Sequence, residues 1–489
     1  MPAGALAGDT EVTETAEAAA VTAASVAANL GGVVLFALPG LGLAELLAPL
    51  RRLSPPRRLG YAYLLGVAGI GGVLFLVSHL FGVPLRRPVL IAVALAPTLL
   101  GLVAWARRRR PARVPLTGPY RRRNPWQTLA ILAVAAVCLG PLASSLAAPL
   151  ADWDGRMTWG PLASYIRHEG TVDASVLRDD HWWVIHPRYP PLLPLVQAVV
   201  QETLGAGEDE QDFRAFYAVF LVALLLVVLD GARRAAGPVA ATLTTLCAAL
   251  PPFFSYGGGG ATSAYSDLPL AGFYGGGAVL LLMAQPSPAS GFAAGCLLAG
   301  AVLTKNEGAP LAVAALLLAA VRLLRRRGRP AAGAPGVAWF GAAAAPVLIA
   351  IALLASWRAA IPNRADEDYL GTLHLADLLR GAVSRLPVIV PEALRWTFRG
   401  SDWLGFWILF LAVLLAGWPA LRRPAVRRLL LAGLVPAAIG WAAYAVSTRV
   451  TDLIGETWER FLLQGLAPLT VVFAAALGHS LRRMRGRIL

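Results

Sequence analysis

Lys305 is the single lysine among the 43 Lys and Arg residues of this 489-residue chain. It stands in Leu303-Thr304-Lys305-Asn306-Glu307-Gly308, with apolar stretches on both sides. An ionisable group at membrane depth costs roughly 2.5–3.5 kcal/mol on insertion scales, so such groups survive where they are paired, wet or functional. A composition rich in Ala, Arg and Gly is what drift from Lys to Arg produces, which makes one retained lysine beside a glutamate a candidate for chemistry. Lys305 can neutralise a phosphate, and Glu307 can pair with it or with a substrate. The plain alternative is a chance survivor or a structural Lys–Glu pair.

Four further constellations carry chemically capable side chains. Asp152-Trp153-Asp154-Gly155-Arg156 places two carboxylates one residue apart. Such a pair can hold a divalent metal, or one carboxylate can act as base while the other orients a partner. It can also be an acidic turn that caps the following helix. In His186-Pro187-Arg188-Tyr189-Pro190-Pro191-Leu192, which follows His181-Trp182-Trp183, the aromatics suit a membrane interface. The same stretch suits a rigid wall from which His186 or Arg188 reaches an anion. Gly257–Gly260 lead into Ala261-Thr262-Ser263-Ala264-Tyr265-Ser266-Asp267. Glycines there permit close backbone approach, and free N–H groups in a turn can hold an anion. The stretch lacks the lysine and spacing of a nucleotide phosphate loop, and Asp267 is either an N-cap or a site carboxylate. Lastly, Glu456-Thr457-Trp458-Glu459-Arg460-Phe461 carries Arg460, suited to bidentate phosphate binding or to pairing with Glu456 or Glu459. Asp366, Glu367 and Asp368 read as a solvated acidic run.

The elements that position these groups are apolar helices. The chain is 57% hydrophobic, with a mean hydropathy of +0.62, and apolar runs near 20 residues alternate with arginine clusters. This pattern specifies an all-α, polytopic transmembrane bundle. The net charge of +15 does not point to nucleic acid, because the arginines sit at the ends of apolar runs, as the positive-inside rule requires. Cys138, Cys247 and Cys296 fall in apolar segments without metal-ligand spacing, and His168 and His181 lack a second ligand at helical spacing. Neither a disulfide framework nor a zinc site is expected. No basic residue precedes Arg51, so residues 1–28 lack the n-region of a signal peptide and read as an outside tail.

Placing the clusters Arg51–Arg58, Arg107–Arg123, Arg233–Arg234, Arg325–Arg329, Arg422–Arg428 and Arg482–Arg487 in the cytoplasm gives a consistent alternation. The spans are then about 29–49, 60–80, 88–106, 127–149, 214–232, 238–254, 265–284, 291–304, 308–324, 336–357, 402–420, 429–447 and 461–481. That makes about 13 helices, with the N-terminus outside and the C-terminus cytoplasmic. Arg86–Arg87 fall in an outside turn, against the rule. Residues 190–204, loaded with prolines at their start, are expected as a short juxtamembrane helix at the outer surface. The long segments 150–213, 358–401 and 447–460 lie outside, and 254–267 and 304–308 reach the same face. All five constellations thus share one side. Three parts follow: the tail 1–28, N-terminal helices and a basic cytoplasmic loop over 29–126, and a core over 127–489 with outside loops 150–213 and 358–401.

The order of these motifs over roughly residues 127–480 resembles the membrane glycosyltransferases of the type C fold that use polyprenyl-phosphate sugars, among them protein O-mannosyltransferases and lipid A aminoarabinose transferases. The motifs are the aspartates of the first outside loop, His186-Pro187-Arg188-Tyr189-Pro190-Pro191-Leu192, Tyr265-Ser266-Asp267-Leu268-Pro269, Thr304-Lys305-Asn306-Glu307-Gly308 and Glu459-Arg460-Phe461-Leu462-Leu463. The resemblance implies a multi-pass cell-membrane enzyme with a periplasmic or extracellular active face. Its catalytic carboxylate would be Asp154, followed by a helix over 155–169, with Asp152 as support or metal ligand. Lys305 and Arg460 would bind the donor phosphate, and His186, Arg188, Tyr189, Tyr265, Asp267 and Glu307 would touch substrate. Asp154 would take the proton of an acceptor hydroxyl in an inverting displacement, and the two cations would stabilise the departing phosphate. No cofactor is required by this chemistry, and a divalent metal is optional. The partners implied are a polyprenyl-phosphate sugar, a glycan, lipid or protein acceptor, and the bilayer. The acidic Asp-Glu pair of the O-mannosyltransferases is missing from the first loop, which leaves the acceptor open. A secondary transporter would show internal repeats and broken central helices, and no repeat is visible. A lipid-linked glycan polymerase or ligase shares the phosphate chemistry but depends more on Arg and His.

Overall fold

The computed structural model describes residues 23–108, 125–148, 150–205, 214–325, 333–363, 375–447 and 449–488. Most of the N-terminal tail, the arginines at 109–110, 121–123, 326–327 and 329, and the run Asp366, Glu367 and Asp368 lie outside them. The described residues form an all-helical bundle with no strand. In chain order the principal helices are α1 (Ala23–Leu46), α2 (Pro55–Phe81), α3 (Arg87–Arg107), α4 (Pro125–Ala147), α5 (Gly160–Glu169), α6 (Leu192–Leu204), α7 (Ala215–Ala236), α8 (Pro238–Ala249) and α9 (Asp267–Met283). There follow α10 (Pro288–Val302), α11 (Gly308–Leu324), α12 (Gly333–Ala359), α13 (Leu375–Ser384), α14 (Leu386–Thr397), α15 (Phe406–Ala416), α16 (Pro424–Val446), α17 (Val450–Gln464) and α18 (Leu466–Ile488).

Seven of these are long and apolar enough to cross a membrane, namely α1 to α4, α7, α12 and α16. Up to eight spans result if the bent pair α17 and α18 counts as one. A multi-pass membrane protein follows directly from these helices. Five of the thirteen expected spans correspond to shorter apolar helices: α8, α9, α10, α11 and α15. Their sequences explain the shortening. Pro251 ends the 238–254 run early, Lys305 and Gly308 cut α10 from α11, and Gly405 and Gly417 bound α15. The expected last span, 461–481, is displaced as well. Its first residues belong to α17, and the chain turns by 57° at Gly465 before α18 begins.

At the centre stands α9, whose residues Asp267 to Leu282 are all buried. A helix that is apolar on every side belongs inside a bundle, and α9 packs against α7, α10, α11, α17 and α18. Small residues set the helix spacing, as expected where lipid offers no hydrophobic drive between helices. A Cβ on Gly66 would collide with the carbonyl of Phe36, and one on Gly40 with that of Ala62, so α1 and α2 cross in near backbone contact. The helix expected at the outer surface over 190–204 is instead packed within the protein. In α6, eleven of the residues from Leu192 to Thr203 are buried, and it lies against α1, α2, α3 and α5. Its apolar side chains suit that burial better than an aqueous surface.

Arg57, Arg234 and Arg423 meet at one end of the bundle. Asp230, fully buried near the end of α7, accepts from Arg57 (3.0 Å) and Arg234 (2.8 Å), and Tyr61 donates to it at 3.1 Å. Arg322 on α11 donates to the terminal carbonyls of α9, Leu281 O (2.7 Å) and Ala284 O (2.8 Å), as a cation at a helix C-terminus should. The chemically capable segments gather at the other end. Arg86, which broke the charge rule, is at that second end because it reaches the carbonyls of Arg167 and His168, where α5 terminates, at 3.4 Å each. Also there, His79 bridges Asp173 (2.9 Å) and Ser356 Oγ (3.1 Å). Ser356 gives its own proton to Leu353 O at 2.8 Å, so this trio ties α2, α12 and the segment after α5 together and activates no hydroxyl.

Replacing Gly66 by Leu is expected to force α1 and α2 apart and to lower the thermal unfolding midpoint of the protein in detergent, since overpacking costs about 1–3 kcal/mol. Gly341→Leu, where a Cβ meets nothing within 4 Å, should leave the midpoint unchanged. Equal midpoints for the two variants would show that the α1–α2 crossing is not tight.

Candidate functional site

The site is built from four segments that meet at the end of the bundle opposite the Arg57–Asp230–Arg234 network. The first follows α4. Asp152 and Asp154 lead into a wide helical turn, Gly155–Trp159, which continues into α5. The helix expected after Asp154 therefore exists, but its first turn is a π-type widening, a form common at functional sites. Gly155 permits the approach to the next segment, for a Cβ there would stand 2.8 Å from Ser263 O.

The second segment is the glycine run before α9. Gly259 has φ +99°, a conformation that favours glycine, and a Cβ on it would meet Asp267 Cβ at 3.2 Å and Arg460 Cγ at 3.4 Å. The run does not form an anion nest. The amides of Gly257, Gly260, Ala261, Thr262 and Ser263 all bond to carbonyls of the same segment, and that of Gly259 bonds to Ser263 Oγ. Its role is to bring Tyr265 and Asp267 close to α17.

Asp267 opens α9 with 1% exposure and does not cap the helix. Its Oδ1 instead accepts from Lys305 Nζ at 2.8 Å and Gln464 Nε2 at 3.0 Å, and its buried Oδ2 has no hydrogen-bond partner among the described residues. Lys305 belongs to the third segment, the turn between α10 and α11. Gly308 closes that turn with a bond to Lys305 O at 2.9 Å, where a Cβ would strike Ala301 O. Glu307 Oε1 lies 3.3 Å from Nζ, so the structural pair weighed from sequence is present, and a second carboxylate, Asp267, is closer. Burial works against the Lys305 charge, but Asp267 and Glu307 outweigh it and hold the ammonium above its ordinary value.

The fourth segment is α17. Arg460 pairs with neither glutamate of its own motif: its Nη1 lies 3.1 Å from Asp154 Oδ2, and its guanidinium sits 4.6 Å above the Tyr265 ring. Tyr265 Oη accepts the Asp154 backbone N–H at 3.2 Å. Glu459 turns away to accept from Trp403 Nε1 at 2.9 Å. Asp154, Tyr265, Arg460, Asp267, Lys305 and Glu307 thus form one connected cluster. Asp152 stands at its edge. Burial pushes its carboxyl up against the pull of Arg214 and Arg460, and Asp154 adds to the rise.

The remaining sequence candidates flank the cluster. His186, at φ +48°, stacks on Tyr189 at 4.8 Å between ring centres, and Tyr189 lies 5.8 Å from Trp159 in the wide turn after Asp154. They form an aromatic wall. Arg188 contributes its carbonyl, which accepts from Arg358 Nε at 2.9 Å, while Arg358 Nη2 donates to Asn306 Oδ1. Arg358 therefore fixes the wall to the lysine turn. Three residues escaped sequence reasoning: Arg358, Gln464, and Arg214, which donates to Ala148 O and, at 2.9 Å, to Thr262 O. Gln464 was findable, being four residues after Arg460 on one helix face. Among the described residues no three His, Cys, Asp or Glu side chains form a group that could hold a metal.

The cluster joins a partly exposed carboxylate to a partly exposed guanidinium, beside a buried ammonium held between two acids. That arrangement can accept a proton and stabilise an anion within the same small volume. No protein-family model, curated protein or solved structure matches the chain.

A carboxyl whose folded-state pKa is raised loses stability as pH rises through that value, and is relieved of the cost once protonated. Asp152→Asn is therefore expected to raise the thermal midpoint at neutral pH, with the gain shrinking as the pH is lowered into the carboxylate range. A constant gain across that range would assign the effect to packing and not to the Asp152 charge.

Proposed function

We propose that this protein is a membrane glycosyltransferase resembling the type C fold enzymes, which moves a sugar from a polyprenyl phosphate to a hydroxyl of an envelope acceptor. The observation that carries this reading is the contact of Asp154 with Arg460 at 3.1 Å, next to Lys305 on Asp267 at 2.8 Å. A base for the attacking hydroxyl and two cations for the leaving phosphate stand in one cluster. In this reading the short helices also cross the membrane, giving thirteen crossings. The arginine-rich end is cytoplasmic and the cluster faces the periplasm or the cell exterior.

The acceptor oxygen bonds to the anomeric carbon as the bond to the phosphate oxygen breaks on the opposite side, inverting that carbon. The hydroxyl proton passes to Asp154, and the electron pair leaves with the lipid phosphate. A phosphate is already a competent leaving group, so the scheme uses no general acid and routes no step through a metal. Tyr265 and Gly259 hold Arg460 in place, and the His186–Tyr189–Trp159 wall offers ring faces of the kind that pack against a sugar or a prenyl chain.

Two outcomes test the reading. Asp154→Asn is expected to cut sugar transfer from a polyprenyl-phosphate donor at least about a hundredfold, as loss of a general base does, with the protein still inserted and folded. Normal transfer by that variant removes Asp154 from the chemistry. Lys305→Ala is expected to raise the KM for donor more than that for acceptor, and a change in stability alone would make Lys305 structural. Mass spectrometry of lipid-linked sugars in a deletion strain supplies the identity of the donor, which should accumulate.

A further inference from the structure

The charges of the cluster do not balance in favour of an incoming anion. Asp154, Asp267 and Glu307 are three carboxylates facing two cations, Lys305 and Arg460. A phosphate added to these pairs as they stand would meet a net negative group, so it has to displace one of the carboxylates.

The geometry says which one. Asp267 is held by two donors at 2.8 and 3.0 Å and is 1% exposed. Glu307 shares an ammonium whose side chain is 11% exposed. Asp154 is the most exposed of the three: its side chain is 34% exposed against 19% for Glu307, it carries a single contact from Arg460, and it stands at the very start of a helical stretch whose next turn is π-wide. Arg460 spends only that one of its five N–H donors on an acceptor among the described residues. Its guanidinium rests on the Tyr265 ring, and its aliphatic stem passes close to Gly259. A guanidinium resting on an aromatic ring with donors to spare, covered by one partly exposed carboxylate, suits a bidentate phosphate ligand.

We propose that Asp154 is masked by Arg460 in the resting protein and released when the phosphate of the donor takes its place on the guanidinium. This deepens the glycosyltransferase reading and rests on it. The consequence is an order of events. An acceptor hydroxyl arriving first finds its base occupied in an ion pair with Arg460. Once the donor phosphate holds Arg460, the Asp154 carboxylate loses its partner and turns to the acceptor. The proton then goes to Asp154, the anomeric carbon exchanges its phosphate oxygen for the acceptor oxygen, and the lipid phosphate departs with the electron pair, still bound to Arg460. Idle deprotonation and hydrolysis are suppressed because base and leaving-group site become available together.

The signature is an affinity that rises when a site residue is removed. Binding of sugar-free polyprenyl phosphate, and separately of inorganic phosphate, is measured on the full-length protein in nanodiscs for wild type, Asp154→Asn, Asp154→Ser and Lys305→Ala. Loss of the competing carboxylate is expected to tighten polyprenyl phosphate binding by about three- to fivefold in both Asp154 variants, the scale of a partly exposed ion pair, while Lys305→Ala weakens it. Inorganic phosphate is expected to follow the same order at lower affinity, since it shares only the headgroup chemistry. If wild type binds and Lys305→Ala weakens binding, but both folded Asp154 variants bind no tighter, the masking is overturned and the glycosyltransferase reading stands. If no variant and not the wild type binds polyprenyl phosphate, both fall together.

Discussion

The arrangement of this end of the bundle depends on one buried carboxylate. Asp267 begins the most enclosed helix of the protein with 1% exposure, and an ion taken that far from water costs several kcal/mol unless it is paired and hydrogen-bonded. Its two donors come from different parts of the chain, Lys305 from the α10–α11 turn and Gln464 from α17. Satisfying Asp267 therefore fixes three elements relative to one another. Because Arg460 lies one helical turn before Gln464, the same placement of α17 that brings the amide to Asp267 carries the guanidinium over Tyr265 and up to Asp154. The more exposed pair is positioned by the buried one.

This division explains why the two ion pairs differ in exposure. Lys305 and Asp267 are deeply placed, and their contact is short. Arg460 and Asp154 are more open, with side chains 19% and 34% exposed. In the proposed masking the outer pair opens, and a pair that opens cannot also hold the bundle together, since a group that moves freely contributes little to the global fold. The outer pair can part and leave the inner pair, and with it α9 and α17, in place.

Much of this was legible in the chain. Asp154, Asp267, Lys305 and Arg460 could be singled out because charged residues next to long apolar runs are costly and therefore informative, and the arginine alternation placed them at one end. Which cation met which carboxylate was not legible. Local spacing favoured Lys305 with Glu307 and Arg460 with Glu456 or Glu459, whereas the dominant contacts join residues 38 and 306 positions apart. Such pairings follow from helix packing, which composition does not encode. The helix over 190–204 misled for a related reason. Its length and prolines spoke of an interface, yet most of its side chains are apolar, and such a helix is buried once neighbours exist to cover it, here together with Gln197 and Gln201. Arg214 and Arg358 were hidden because they act on backbone carbonyls and an amide, acceptors that no sequence pattern marks.

The retention of one lysine in a chain otherwise furnished with arginine has a physical reason in this geometry. Position 305 offers two acceptors, Asp267 Oδ1 and Glu307 Oε1, within a pocket that leaves the side chain 11% exposed. An ammonium has three compact, rotatable donors; one bonds Asp267 at 2.8 Å, and the charge is also balanced by Glu307 at 3.3 Å. A guanidinium would bring five donors in a rigid plane to the same two acceptors, and several buried N–H groups would be left unpaired, each at a cost of about 1–3 kcal/mol. Arg460 escapes this penalty because it lies nearer the opening and rests its face on an aromatic ring. The compact charge thus belongs at the closed end of the cluster and the fork at the open end, where a ligand can use the donors that the protein leaves free.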